Sequence, residues 1–373
     1  MNRKTFTILC FEGAVLSFNV AATAAIVPSV ARDFGIAQFF AGRIIWLYML
    51  PYGIAALFYG PLVRVLDAKK VELFCLFFFS LANLLAALAG NIYTLFAARF
   101  FMGIFGAAVI PLGLILIGRH IENKNRGRFV GLFFSATFIA SLAGLFLSGI
   151  IHWRLIYLIP AVLGFILLFF IYYYLPSFKQ DAGGLKINYL SAFKDRAVRA
   201  VFIYIFFISL FYHGVQQWLG VYFSQKFHFS QFLVSMLITL TSFSGIFGEA
   251  VGGKLSDIIG RVKTIDLGIG LMVVSVFALV FKLPLAVLAL IMVIWGVGWT
   301  FNHAGLSTML TDLPKEFLNE SASLNSSVRF ISGGLGAALG GIIMQRNFNA
   351  GFLAIGLLLI VLAVFAKRLL VVK

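Results

Sequence analysis

Apolar residues run through this chain in long blocks separated by short polar breaks. A bilayer core about 30 Å thick takes roughly 20 residues of helix to cross. Twelve blocks reach that length: 6–27, 38–60, 71–90, 92–117, 128–150, 154–175, 200–223, 231–253, 263–281, 284–309, 321–344 and 349–370. The narrowest break, between the fifth and sixth, consists of His152, Trp153 and Arg154. The longest polar segment, 176–199, divides six blocks from six, and its second half, Leu190–Val201, has the pattern of a short amphipathic helix on a membrane surface. This pattern predicts an all-α membrane protein of twelve transmembrane helices in two six-helix bundles, 1–175 and 200–373, joined by the linker 176–199.

Composition changes the picture only by excluding alternatives. Of 373 residues, 62% are hydrophobic and 11% charged, against roughly 45–50% and 25% in soluble domains, so a water-soluble fold is ruled out. The 43 phenylalanines suit helices that face lipid. A net charge of +16 would point to nucleic acid in a soluble protein, but the placement of the charges reads differently. With the N-terminus in the cytoplasm, 21 of the 29 Lys and Arg residues fall in cytoplasmic loops and termini, and six fall on the other side, counting Arg43. Arg99 and Arg329 lie inside helices. This bias predicts both termini in the cytoplasm, in a bacterial inner or plasma membrane, with the lipid bilayer rather than nucleic acid as partner. Cys10 and Cys75 sit inside apolar runs, so neither reads as a disulfide or metal ligand. The first block follows Arg3 and Lys4 as a signal peptide would, but it contains Glu12 and precedes many more spans, so it is read as a retained helix.

Between the eighth and ninth blocks the chain reads Gly253-Lys-Leu255-Ser-Asp257-Ile-Ile-Gly260-Arg261-Val-Lys263. This segment resembles the G-x-L-x-D-x-x-G-R loop signature of the major facilitator superfamily. The corresponding loop between blocks two and three, Gly60-Pro-Leu62-Val-Arg64-Val-Leu-Asp67-Ala-Lys69-Lys70, keeps the Gly, the Leu and the trailing Lys but has Arg64 and Asp67 at the Asp and second Gly positions. Glycine permits a tight turn and close helix approach, and the resemblance implies that Asp257 and Arg261 lock one arrangement of the cytoplasmic side. Block four, Leu95-Phe-Ala-Ala-Arg99-Phe-Phe-Met102-Gly103-Ile-Phe-Gly106-Ala, is similar to the L-x-x-x-R-x-x-x-G-x-x-G-A pattern of proton-coupled members, where the arginine is implicated in proton transfer. Block five lacks the glycine–proline pair of the drug/proton antiporters, although Trp153-Arg154 follows it as in that branch. Block eleven carries Gly333, Gly334, Gly336, Gly340 and Gly341 at spacings that suit close backbone packing. The resemblance spans about 5–370 and implies two bundles around a central cavity with alternating access.

The ionisable residues inside spans are read as Glu12, Glu249 and Asp266, with Arg99 and Arg329. Such groups are costly in a bilayer and are functional candidates by default. Glu12 shares a helical face with Asn19 and Thr23 and stands in for the acid that relatives carry nine positions before Pro28, where this chain has Asn19. Glu12 and Arg99 are the proton-coupling candidates, although by depth a direct contact needs stretched side chains or a water between them. Asp266 is shallow, and Glu249 suits a gate or packing ion pair. The substrate-binding candidates are Asn19, His213, Gln216, Gln217, Trp299, Asn302, His303, Asn325 and Arg329, whose amides, rings and guanidinium bond polar groups, stack or hold anions. The gating motif comprises Gly253, Asp257, Gly260, Arg261, Gly60 and Asp67.

The expectation is a monomeric secondary active transporter, with no enzyme activity, cofactor or metal, that moves a small organic molecule by alternating access with proton-coupled efflux. The sequence has no G-x-x-x-x-G-K-S/T phosphate loop, so ATP hydrolysis is unsupported. An uptake permease or uniporter, with an organic anion held by Arg99 and Arg329, is the alternative; a non-transporting receptor is the third reading.

Overall fold

The computed structural model describes residues 3–177, 189–313 and 318–370. The chain divides into two compact units, Met1–Lys186 and Ile187–Lys373.

The first unit contains α1 (Arg3–Ser17), α2 (Ala22–Phe34), α3 (Gln38–Ala41), α4 (Arg43–Val65), α5 (Ala68–Ala87), α6 (Ile92–Gly106), α7 (Val109–His120), α8 (Asn123–Leu147) and α9 (Trp153–Tyr174). The second contains α10 (Tyr189–Lys194), α11 (Arg196–Gln216), α12 (Leu219–Phe227), α13 (Gln231–Ile259), α14 (Arg261–Ala278), α15 (Leu285–Thr311), α16 (Leu318–Arg346) and α17 (Phe348–Leu370). Ten helical spans among the described residues are long and apolar enough to cross a membrane; the pair α1–α2, bent by 42°, makes an eleventh. Helix α14 is the twelfth of the expected series, and Arg261, Lys263 and Asp266 at its start shorten its apolar length.

Polar residues at the breaks start the helices by giving their orphan amides an acceptor. Asp67 accepts from the Lys70 amide at 3.1 Å, Asn91 from Thr94 at 2.9 Å and Asp195 from Val198 at 2.9 Å. The narrow break before α9 is a true helix end: Trp153 donates to Asp33 at 2.7 Å, and Arg154 donates to the carbonyls of Ala87 and Ala89 at the end of α5.

Within each unit the helices pack through small residues. Helix α4 packs on α6 and α5 on α9; α11 packs on α16, and α13 and α14 both pack on α15. A β-carbon on Gly336 or Gly340 would run into the carbonyl oxygen of Leu210 or Gly214, so the glycines of α16 set how closely it approaches α11. The outward faces keep large apolar side chains exposed, among them Phe58, Phe74, Phe101, Phe169 and Phe247, as lipid contact requires.

Two expectations are corrected. Leu190–Val201 is not one amphipathic helix: α10 ends at Lys194, and Asp195 caps a new helix that continues into the membrane span. The first span does not carry one face through Glu12, Asn19 and Thr23, because α1 stops at Ser17 and the chain turns before Ala22. Most of the linker 176–199, residues 178–188, lies outside the described residues.

Candidate functional site

In the first unit, the side chains of α1 and α5 bring two acids together. Glu12 and Glu72 are each 1% exposed, and their carboxyl groups face each other closely enough to interact. Among the described residues, none of their four oxygens accepts a hydrogen bond from another group, and neither acid pairs with a cation. Cys75, one turn after Glu72, lies beside the pair and also contacts Tyr59, which donates to the Ile104 carbonyl at 2.9 Å.

The ionisable residues read inside spans did not include Glu72, the second residue of block 71–90, which follows Lys69, Lys70 and Val71. The signal was its spacing. Glu72, Cys75, Leu76, Phe79, Ser80 and Asn83 form one helical stripe, and all are buried. The helix starts earlier than expected, at Ala68, which places Glu72 inside the unit.

Arg99 does not join this pair. Its Nε donates to the Ile44 carbonyl at 2.9 Å, and its guanidinium lies over the Tyr48 ring at 4.3 Å with Tyr157 at 5.9 Å. It is 1% exposed. A guanidinium held by a carbonyl and two aromatic rings is a stable buried arrangement without a carboxylate. Asn19 is likewise internal: its side-chain amide donates to Asn83 at 2.6 Å, and its backbone carbonyl accepts from the Thr23 hydroxyl at 2.8 Å across the α1–α2 turn.

In the second unit, α11, α13, α15 and α16 gather most of the predicted binding residues. Tyr212 stacks on Trp299 with ring centres 3.9 Å apart and on Trp295 at 5.3 Å. Trp295 donates to Gln216 at 2.8 Å, and Gln216 donates to Thr241 at 3.2 Å. His213 donates through Nδ1 to the Ser209 carbonyl at 2.8 Å and sets its ring edge-on to Trp299. Arg329 donates from Nε to Asn325 at 2.8 Å, with its guanidinium 5.9 Å from the Trp299 ring. His303 and Glu249 are hydrogen-bonded to each other through Nδ1 and Oε1. Gln217 is half-buried at the end of α11, where its backbone N–H donates to the His213 carbonyl at 3.3 Å.

Asn302 stands apart from the cluster. It is fully buried, accepts from the Tyr204 hydroxyl at 2.8 Å and donates to the Gly298 carbonyl at 3.0 Å, so its amide is satisfied within the packing of α11, α14 and α15. The i, i+4, i+7 spacing with Trp295 and Trp299 placed it near the same face, but its hydrogen bonds turn it inward.

The loop signature behaves differently from its expected lock. Gly260 has φ +91°, a conformation that favours glycine, and makes the turn between α13 and α14. Close helix approach falls to Gly252, buried against Phe301 and Ala304, while Gly253 faces open space. Arg261 pairs with Asp312 at the end of α15, and Asp257 is exposed. In the corresponding first-unit loop, Gly60 is half-buried within α4, and Asp67 caps α5 and accepts from Ser177. Partial burial pushes the Asp67 carboxyl up, but the bonds from Ser177 and from the Lys70 and Lys69 amides, together with the Lys70 charge, outweigh it and hold the group below its ordinary value.

Residues 9–337 match the sequence model of the Major Facilitator Superfamily. An uncharacterised MFS-type transporter of Bacillus subtilis, YbcL, is 23% identical over 95% of this chain and 94% of its own length. The purine ribonucleoside efflux pump NepI of Shigella sonnei is 26% identical over 84% of this chain and 80% of its own. Among solved structures, a POT family transporter in complex with a thioalcohol-conjugated peptide superposes with a TM-score of 0.80 at 13% identity, covering 98% of this chain and 96% of the other. The chain belongs to the major facilitator superfamily and is a multi-pass membrane transporter of small molecules, not an enzyme.

Proposed function

We propose that this transporter exports a small organic molecule in exchange for protons by alternating access, with Glu12 and Glu72 together as the proton-binding group. The observation that carries the reading is the buried carboxyl pair without a cation. Two facing carboxylates in low-dielectric surroundings cannot both be ionised, so the pair holds a proton between its members and releases it only when water or a cation reaches it. That is the behaviour a proton carrier needs. In this reading Arg99 is a brace between α6 and α4, replacing the role expected for it beside Glu12. The export direction is supported by the likeness to the purine ribonucleoside efflux pump. The chain acts as a monomer in the inner or plasma membrane with both termini in the cytoplasm, consistent with the distribution of its Lys and Arg residues.

The test is flux in proteoliposomes with and without an imposed pH gradient, after a thermal-shift screen has supplied a transported compound. Wild-type flux should follow the gradient in sign and size. Saturable flux indifferent to the gradient would replace this reading with a uniporter.

A further inference from the structure

Arg329 is the one guanidinium in the second unit's cluster whose terminal nitrogens do no visible work. Both Nη atoms are buried and, among the described residues, have no hydrogen-bond partner and form no ion pair. Its orientation is nevertheless fixed, because Nε is tied to Asn325 at 2.8 Å on the same helix. Glu249, the nearest acid to influence it, is engaged by His303 instead. A buried guanidinium with both forks open is costly to leave unmet and has the geometry that takes a carboxylate bidentately.

The surroundings define the rest of the ligand. Beside the guanidinium stands the half-buried Trp299, held from behind by the Tyr212 stack. The stack is anchored through Trp295, Gln216 and Thr241, so its rings are locked before anything binds. The half-buried His213 presents its ring edge-on to Trp299. A rigid aromatic wall next to an open cationic fork favours a flat ring over a flexible chain, because the wall gains most contact from a planar partner and loses no rotamer freedom in making it.

We infer that the second unit carries a subsite for a planar aromatic carboxylate, the acid group on the Arg329 Nη atoms and the ring against Trp299. The subsite rests on the transporter reading and names the class of its substrate; it does not depend on proton coupling.

Binding to the full-length protein in detergent, measured calorimetrically at one pH in chloride-free buffer, tests it with three probes. Benzoate has both features, benzamide keeps the ring without the charge, and cyclohexanecarboxylate keeps the charge without the flat ring. Wild type should bind benzoate on the order of tenfold more tightly than either of the other two. R329Q should lose the preference for benzoate over benzamide, and R329K, which keeps the charge but not the fork, should bind benzoate several-fold more weakly with its thermal unfolding unchanged. E249Q, by removing the competing acid, should bind benzoate more tightly than wild type. Equal binding of benzoate and benzamide by wild type, or an intact benzoate preference in R329Q, overturns the subsite. Equal binding by inorganic phosphate reduces it to a simple anion site and overturns the aromatic part. A loss of pH-driven flux with benzoate binding intact concerns the coupling alone, and an absence of benzoate binding with coupled flux intact concerns the subsite alone.

Discussion

The two units handle buried charge in opposite ways. Among the described residues, the first places two buried acids against each other with no cation beside them and seats the buried Arg99 on a carbonyl and two aromatic rings. In the second, among the described residues, the buried Nη atoms of Arg329 have no partner, while the acid–base contacts of Glu249 with His303, Asp312 with Arg261 and Asp266 with Lys367 at 3.8 Å are partly exposed. In a bilayer an unpaired charge costs several kcal/mol, roughly 2.5–3.5 on insertion scales. Each unit therefore leaves one kind of group exposed to that cost. The first leaves an acid pair that a proton relieves, and the second leaves a cation that an anion relieves. In the reading proposed above, the proton belongs to one unit and the substrate's polar group to the other.

The strongest break of this comparison is to neutralise one acid in each unit. Glu12→Gln should abolish gradient-driven flux, a loss of at least tenfold, with expression intact, whereas Glu249→Gln should keep it responsive to the gradient. Proteoliposome flux at imposed pH differences reads both. Next in size, Arg99→Lys keeps a charge but loses the flat guanidinium and its bond to Ile44, and should cost about 1–3 kcal/mol of stability, read as a lowered Tm in detergent. Lysine restoring full stability would show that charge alone matters there. In the loop signature, Asp312→Asn should slow turnover a few-fold and leave substrate affinity alone, while Asp257→Asn, at an exposed position, should do less; the Arg261–Asp312 pair is solvent-accessible and contributes only about 0.2–1 kcal/mol to stability. The smallest effect belongs to Asp67. Its carboxyl sits below its ordinary value, so the stabilisation it provides is complete above that value, about 3.8, and is lost as pH falls through the lower folded value. Asp67→Asn should flatten that acid limb of thermal stability, a change confined to pH below about 4.

Much of this was legible in the order of residues. Blocks long enough to span a membrane are dictated by solvent, so their positions survive folding with shifts of a few residues, as with 231–253 becoming Gln231–Ile259. Helical spacing puts His213, Gln216, Trp299, Asn325 and Arg329 each on one side of its helix, and the structure brings them together from α11, α15 and α16. What escaped depended on partners from other helices. Glu72 stood at the very edge of block 71–90, beside two lysines, and the Asp67 cap moves the helix start back to Ala68 and seats Glu72 inside the unit. Asn302 looked like lining until Tyr204, from α11, claimed its oxygen. Arg99 looked like a partner for an acid because no sequence pattern announces the Ile44 carbonyl and the Tyr48 ring that receive it.

The most direct measurement is a double-mutant cycle on the acid pair, with pH-driven flux recorded for wild type, Glu12→Gln, Glu72→Gln and the doubly substituted protein. If the two carboxyls act as one proton-binding group, each single substitution removes the coupling and the double loses no more than either. Coupled flux at the wild-type rate in Glu72→Gln would contradict the account.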